Sequence, residues 1–520
     1  MTTATTAREA AACERARERR WLGALVLLSA LPPLALAAAE AYLFGDLRGF
    51  PLDDSWIHLQ FARNLAAGEG LAYDGGRLVA GSTAPLWTLL LAPLFLLPGP
   101  VEVWAKLLGL ALQAASVGAT FVLGRRLGLG RPLAALAATL VAGTDYLLWA
   151  SISGMEVPLF NVLALAGIAA HVGERRADLA GPPRPPVSFL LLGLAALARP
   201  EGILLPILAA LDRVIVGAPM ALANEVISGS PAPTTLAAKS EGPRGWLPEG
   251  RHVNKILGFL LGSQPLPVLL AAGGALLLLA RLGTPRDGGL LLPAWAATMP
   301  LALATLSSGR ELLVGNFGRY FYPLLPAFVL LGVLALDLPG TDRLRSLSIG
   351  RLRLPLATPL ALLLFLLPLV PRARNGVAVF LQARQNVEDS DVLAARWLAA
   401  NVPPDALLGL CDIGVIKYRL PNPIVDLAGI ASPERRIFLD RMARQHGLPW
   451  PQALRLWLEE VRPEYIVLYP RWFPLLEGDP ARFPVLERFP IPDNVAMGGD
   501  ELVVYATPWT RTPQRMTPRP

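Results

Sequence analysis

Apolar runs long enough to cross a bilayer recur through the first two-thirds of the chain, and they leave few folds open to it. A helix needs about 20 consecutive, mainly apolar residues to span hydrocarbon. Trp21–Phe44, Val101–Gly124, Pro132–Ala150, Leu257–Leu282 and Tyr320–Leu338 approach or exceed that length. Val157–Val172, Leu290–Leu306 and Leu356–Val370 are shorter. Val187–Val214 is apolar on both sides of a polar break, Arg199-Pro200-Glu201-Gly202. Together these runs predict a polytopic α-helical membrane protein with roughly nine to eleven spans. Pro85–Leu97 is too short to cross and reads as a re-entrant or interfacial helix.

Composition agrees. The chain is 53% hydrophobic and 17% charged, whereas soluble domains carry about a quarter of charged residues. The net charge of +7 does not point to nucleic acid, because the positive residues gather in short loops between apolar runs. That is the pattern of cytoplasmic loops. The charged lead-in ERARERR fixes the amino end of Trp21–Phe44 inside. This run lacks a cleavage signal and reads as an anchor. Cys13 and Cys411 lie far apart, on opposite sides by this topology, and offer no disulfide framework.

From Arg372 the hydrophobic runs shorten and charges become regular. The chain therefore divides at 371/372 into a transmembrane part and a soluble α/β domain. Asp391–Asn401 reads as a helix with an Asp near its start, and Ala406–Val415 and Tyr465–Tyr469 read as strands. Turns are expected at Val402–Asp405 and Pro421–Pro423.

Charged groups inside or against a membrane are expensive and need a reason. The first loop opens with Asp53-Asp54-Ser55 after a span. Ile57, Phe61 and Leu65 then follow at helical spacing, as in a helix lying in the interface. One use of the three polar residues is an N-cap, which needs only one of them. Another is a general base, with the second carboxylate raising the pKa of the first by repulsion. A third is a divalent cation held by carboxylate oxygens. Adjacent aspartates alone do not choose among these. His58 follows on the same helix. Glu156, in SGMEVP, borders a span and suits either a solvated helix end or a site. Arg199 and Glu201 suit an internal ion pair or a cavity lining. Lys239 suits a phosphate contact or a solvated loop. Arg319, ahead of Tyr320-Phe321-Tyr322, suits a headgroup contact. No nucleotide-binding loop, dinucleotide fingerprint or metal-spaced histidine set is present.

The pieces DDSWIHLQFARNLAAGEGLAYDGG, GSTAPLWTLLL, SGMEVPLF, ARPEG, GSPAPTTLAAK and GRYFYPLLP occur in an order that resembles the GT-C superfamily of membrane glycosyltransferases. Within it the chain is similar to bacterial proteins akin to the mycobacterial terminal arabinofuranosyltransferase. WLAANVPPDALLGLCDIGVIKY and VDLAGI resemble that group's periplasmic domain. The resemblance implies a multi-pass protein of the bacterial inner (plasma) membrane, with a cytoplasmic N-terminus and an extracytoplasmic tail. It implies a polyprenyl-phosphate sugar donor, a glycan, lipid or protein acceptor, and transfer with inversion. Asp53 falls at the position of the base, with Asp54 beside it. Lys239 and Arg319, and less closely Arg199, fall at positions suited to the leaving lipid phosphate. Glu156 and Glu201 lie within shared motifs. The stretch between ARPEG and GSPAPTTLAAK is shorter than that group leads one to expect. No cofactor is implied, and a divalent cation stays open. A transporter or flippase of a lipid-linked substrate is the rival reading, against which stand the absence of an inverted repeat and the large tail.

Overall fold

A computed structural model describes residues 2–76, 78–79, 81–177, 187–211, 250–280, 290–306, 316–337, 347–349, 352–354, 363–448, 450–472, 476 and 478–511. The described chain forms two compact units. One gathers the described residues of Met1–Leu47, Lys106–Gly217 and Gly242–Val377. The other gathers Arg48–Ala105 and those of Ala378–Pro520.

The first unit is helical. Among the described residues four helices are long and apolar enough to cross a membrane, or up to six if each bent pair is one span. Ala12–Phe44, Val101–Arg126 and Val157–Glu174 are three of the four, and the fourth, Leu363–Asn401, belongs to this unit only as far as Val377. Glu40, the acid inside the first apolar run, is fully buried and pairs with the buried Lys106.

Two runs read as single spans are broken. Arg131–Ala142 and Asp145–Ser151 meet at 63°, and Val253–Ser263 and Pro265–Ala280 meet at 110°. Pro265 and Pro267 carry no N–H, so the second helix cannot continue the ladder of the first. The two breaks support each other, because the Gln264 side-chain amide donates to Thr144 Oγ1 at 2.8 Å. Freed polar groups inside an apolar bundle need such partners. Close backbone approach fixes another crossing: a Cβ at Gly274 would collide with the Leu331 backbone, and one at Gly332 with that of Pro267. The polar break at Arg199 is also real, since Val187–Ala198 ends there and Pro200–Ile203 forms a single 3-10 turn. The expected segment Ile215–Ile227 and the loop residues 228–249 lie outside the described residues.

The second unit is an α/β domain built from two distant parts of the chain. From the first loop comes α1 (Asp53–Ala66), followed by the short helix Pro85–Leu91 and a 3-10 turn, Ala92–Leu96. From the tail come α2 (Leu369–Val387), one π-type turn (Glu388–Val392) and α3 (Leu393–Asn401). Then follow β1 (Leu408–Leu410), α4 (Gly414–Arg419), β2 (Ile424–Asp426), α5 (Pro433–His446) and α6 (Trp450–Val461). β3 (Tyr465–Leu468), β4 (Val485–Pro490) and β5 (Glu501–Ala506) complete a sheet of order β2-β1-β3-β5-β4. β1 pairs in parallel with both β2 and β3, while β5 runs antiparallel between β3 and β4.

Three expectations change here. Asp391 does not start a helix but sits inside one, in the π-type turn. Ala406–Val415 is not one strand: three residues pair, then Gly414 opens α4. And α1 does not lie as a surface helix. Ile57 and Phe61 belong to the same hydrophobic core as Leu408, Leu410, Ile466 and Val504. The apolar stripe at Ile57 and Phe61 is real, but the tail sheet covers it.

Phe61 is fully buried and its ring lies 5.0 Å from that of Tyr73. Phe61→Ala is therefore expected to cost the second unit about 3–5 kcal/mol. Hydrogen exchange should show faster opening of β1 and β3 in this variant; unchanged protection there would refute the shared core.

Candidate active site

β1, β2 and β3 run in the same direction, so their carboxyl ends deliver a set of polar residues to one edge of the sheet. Asp412 follows β1, Asp426 closes β2 and Tyr469 follows β3. The chain leaves β1 for β2 on one side and returns to β3 on the other. At such a reversal, open α/β sheets bind their ligands.

Asp53 reaches this edge from the first loop. It does not cap its own helix: Leu52 holds the N-cap position, with no side-chain cap bond. Its Oδ2 accepts from Gly414 N–H at 2.7 Å, and its Oδ1 from Val415 N–H at 2.6 Å. A Cβ at Gly414 would collide with Asp53, so only glycine admits this approach. Around it, the Tyr73 hydroxyl donates to Ile413 O at 2.8 Å and Arg63 Nη1 to Tyr418 O at 2.9 Å. Lys417 Nζ binds Asp74 Oδ1 at 2.7 Å, and the other oxygen of Asp74 accepts from Ile424 N–H at 3.0 Å. Trp56 packs between Tyr418 and Phe50, with the Arg419 guanidinium 5.7 Å from its ring.

The electrostatics are acidic. Asp53, though partly exposed, is densely surrounded by protein. Burial pushes its carboxyl well above the usual carboxylate range, Asp412 and then Asp54 push it further, and the two backbone N–H groups pull back. Asp412 is raised to about 6, mainly by burial, although the Tyr469 hydroxyl donates to its Oδ2 at 2.5 Å. Asp391 lies well beyond the apolar part of its helix and is completely buried. Burial, then Asp412 and Asp53, raise its carboxyl strongly. Among the described residues neither of its oxygens has a hydrogen-bond partner. Asp426 is also raised by burial, even though the N–H groups of Ala428, Gly429 and Ala431 all donate to it. Burial, then Asp412, pushes the Cys411 thiol up, which keeps it protonated rather than a nucleophile. Among the described residues no three His, Cys, Asp or Glu side chains converge to hold a metal ion.

The residues expected from sequence fall into two groups. Asp53, Asp54 and His58 share α1 in the second unit; Asp53 and Asp54 are half-buried and His58 is buried. Glu156, Arg199, Glu201 and Arg319 belong to the first unit. There Arg199 Nη1 meets Glu156 Oε1 at 2.5 Å and its Nη2 meets Glu201 Oε1 at 2.6 Å. The guanidiniums of Arg199 and Arg319 lie 5.7 and 5.5 Å from the centre of the Tyr320 ring. Arg319 is buried. Its guanidinium sits within protein packing, which differs from a side chain reaching out to headgroups. Lys239 lies outside the described residues. Sequence reasoning missed Asp391, Asp412, Asp426 and Tyr469. A signal was present for two of them: CD after LGL and D in IVD each place an acid at the end of a short apolar strand.

Helices fit to cross a membrane, joined in one chain to an α/β domain with acidic strand ends, define a polytopic membrane fold with a polar α/β domain. Comparison of structures gives the fold. The chain is similar to ArnT from Cupriavidus metallidurans in the apo state, with 15% identity and a TM-score of 0.53, covering 94% of this chain and 98% of that one. ArnT bound to undecaprenyl phosphate matches over the same shares, with 16% identity and a TM-score of 0.53. The oligosaccharyltransferase AglB from Archaeoglobus fulgidus, in complex with an inhibitory peptide and a dolichol-phosphate, matches with 12% identity and a TM-score of 0.52, covering 86% of this chain and 69% of that one. The chain has the GT-C fold. Residues 379–509 match a family described as a domain of unknown function, DUF8728. No curated protein matches the sequence.

Acids raised on folding make stability fall as pH rises. The folded state binds the proton more tightly than the unfolded chain, so this contribution is complete below the ordinary carboxylate pKa. It is lost as pH climbs through about 6 for Asp412. Thermal unfolding of the purified protein should show a lower Tm at pH 8 than at pH 5. Asp412→Asn should raise the Tm at pH 8 and flatten the profile, and a steeper profile would contradict the assignment.

Proposed function

We propose that the protein is a membrane glycosyltransferase that moves a sugar from a polyprenyl-phosphate donor to a glycan, lipid or protein acceptor of the cell envelope. The observation that carries this reading is the Asp53 carboxylate, gripped by Gly414 and Val415 N–H at the carboxyl ends of parallel strands, in a chain of GT-C fold. Likeness to ArnT bound to undecaprenyl phosphate supports the donor class.

Asp53 acts as the general base. Two backbone donors fix the plane of its carboxylate, and each oxygen keeps a lone pair for an incoming hydroxyl. Its raised pKa makes it a stronger base than an exposed aspartate. The acceptor oxygen forms a bond to the anomeric carbon as the bond from that carbon to the phosphate oxygen breaks. The hydroxyl proton goes to Asp53 and the bonding pair leaves with the lipid phosphate, so the anomeric centre inverts. Asp54 and His58 frame the acceptor side. Arg319 and Lys239 are the residues we assign to the leaving phosphate. Arg199 already meets two glutamates, Glu156 and Glu201, which occupy its guanidinium and leave it less suited than Arg319 to binding an anion.

Membranes containing the protein, given a panel of polyprenyl-phosphate sugars, should release lipid phosphate detectable by mass spectrometry. Asp53→Asn, whose amide oxygen can accept from only one of the two N–H groups, should reduce that release by about 10²–10⁴-fold in protein whose thermal unfolding shows it to be folded. Release at the wild-type rate by this variant would sink the base assignment. The carboxylate pair is proposed to act without a divalent cation, so transfer should persist in EDTA. Loss in chelator, reversed by added Mg²⁺, would instead assign Asp53 and Asp54 to a cation.

A further inference from the structure

Asp391 is a member of the acid cluster that neither the fold nor the proposed reaction explains. It is fully buried on a π-type turn, a local rearrangement that removes regular helical pairing and often marks a functional position. Its two oxygens have no hydrogen-bond partner among the described residues. An isolated buried carboxylate is so costly that such a group discharges itself by taking a proton.

Among the described residues no cation is placed to prevent this. The π-type turn packs against α3, α4, β4 and β5. Arg396 of α3 is exposed. Lys417 of α4 is committed to Asp74 and Arg419 lies over Trp56. Arg488 of β4 pairs with Glu501 of β5 at 2.7 Å. On its own helix, Arg384 lies 4.0 Å from Glu388. Tyr469 spends its hydroxyl hydrogen on Asp412. The charged groups that act on Asp391 are Asp412 and Asp53, both acids.

We propose that Asp391 is a proton holder for the acid cluster: a neutral carboxylic acid at working pH that keeps one negative charge out of the set and so lets Asp53 ionise and serve as base. This rests on Asp53 being that base. Three carboxylates in mutual reach cannot all ionise without repulsion. The most buried of them, lacking any donor, is the one that keeps the proton. Asp53, with two N–H donors, and Asp412, with a tyrosine hydroxyl, are the two equipped to carry charge. The Asp391 proton is not consumed. In each turnover the acceptor proton passes to Asp53 and then to solvent. Asp391 is thus a positioning residue that acts through Asp53.

The test is infrared spectroscopy of the full-length protein at neutral pH. A carbonyl band of a protonated carboxylic acid should be present in the wild type, lost in Asp391→Asn and retained in Asp53→Asn. Asp391→Asn copies the neutral side chain but cannot ionise, so the acid limb of its kcat/KM profile, set by Asp53, should stay where it is in the wild type; were Asp391 charged, removing that charge would move the limb to lower pH. A wild-type spectrum with no band that depends on Asp391, or an acid limb moved to lower pH in Asp391→Asn, would overturn the proposal. Failure of the base reading shows elsewhere, as undiminished transfer by Asp53→Asn, and leaves the Asp391 band to be read on its own.

Discussion

The second unit depends on one carboxylate meeting two backbone N–H groups. Asp53 enters from the first loop and satisfies Gly414 and Val415 at the start of α4, donors that the short helix itself leaves unpaired. The tail sheet alone would present an open row of such donors beside the strand ends. With Asp53 in position they are occupied, and α1 is drawn in so that Ile57 and Phe61 join the sheet's core. Asp74 repeats the device on a smaller scale, bridging Lys417 and the first N–H of β2. Two acids from one loop thus fasten two elements of the tail, α4 and β2.

That arrangement concentrates like charge where folding would avoid it. Burial raises the carboxyls of Asp53, Asp391 and Asp412, Asp412 pushes up both of the others, and Asp53 adds to the rise at Asp391. A domain selected for stability alone would place amides or apolar groups there. Held strain of this kind clusters where a protein performs chemistry. The ion triad in the helical unit is different in kind. Arg199 brings one positive group to two negative ones, Glu156 and Glu201, and in an apolar bundle the set serves as much to fix the helix break as to meet a ligand.

Much of the architecture is legible in the residues. Apolar runs mark the helices of the first unit, the change of composition after Arg372 marks the α/β tail, and the DDSWIHLQF pattern marks α1 with its apolar stripe. What periodicity does not carry is what covers that stripe. Interface lipid and a sheet fold ask for the same residues at Ile57 and Phe61, and only tertiary pairing distinguishes them. The two bent spans were hidden for a similar reason: Gln264 and Thr144 look like tolerable polar interruptions until each is seen to complete the other. Asp391 misled because an acid before a helical pattern reads as a start signal, whereas here the helix had begun at Leu369 and merely loosened. Of the candidate site, Asp53 was visible from its neighbourhood, but its partners sit on short strands whose ends periodicity alone does not locate.

The bond between Asp53 and Gly414 joins residues 361 positions apart. During synthesis α1 therefore emerges long before the sheet that shelters it, with Trp56 and Phe61 waiting uncovered while the rest of the helical unit is made. Contacts this distant in sequence close late and leave a sticky intermediate for the interval. Biogenesis must shield that segment, and a ribosome that stops short of β5 releases a chain with an orphaned aromatic helix, well suited to recognition by quality control.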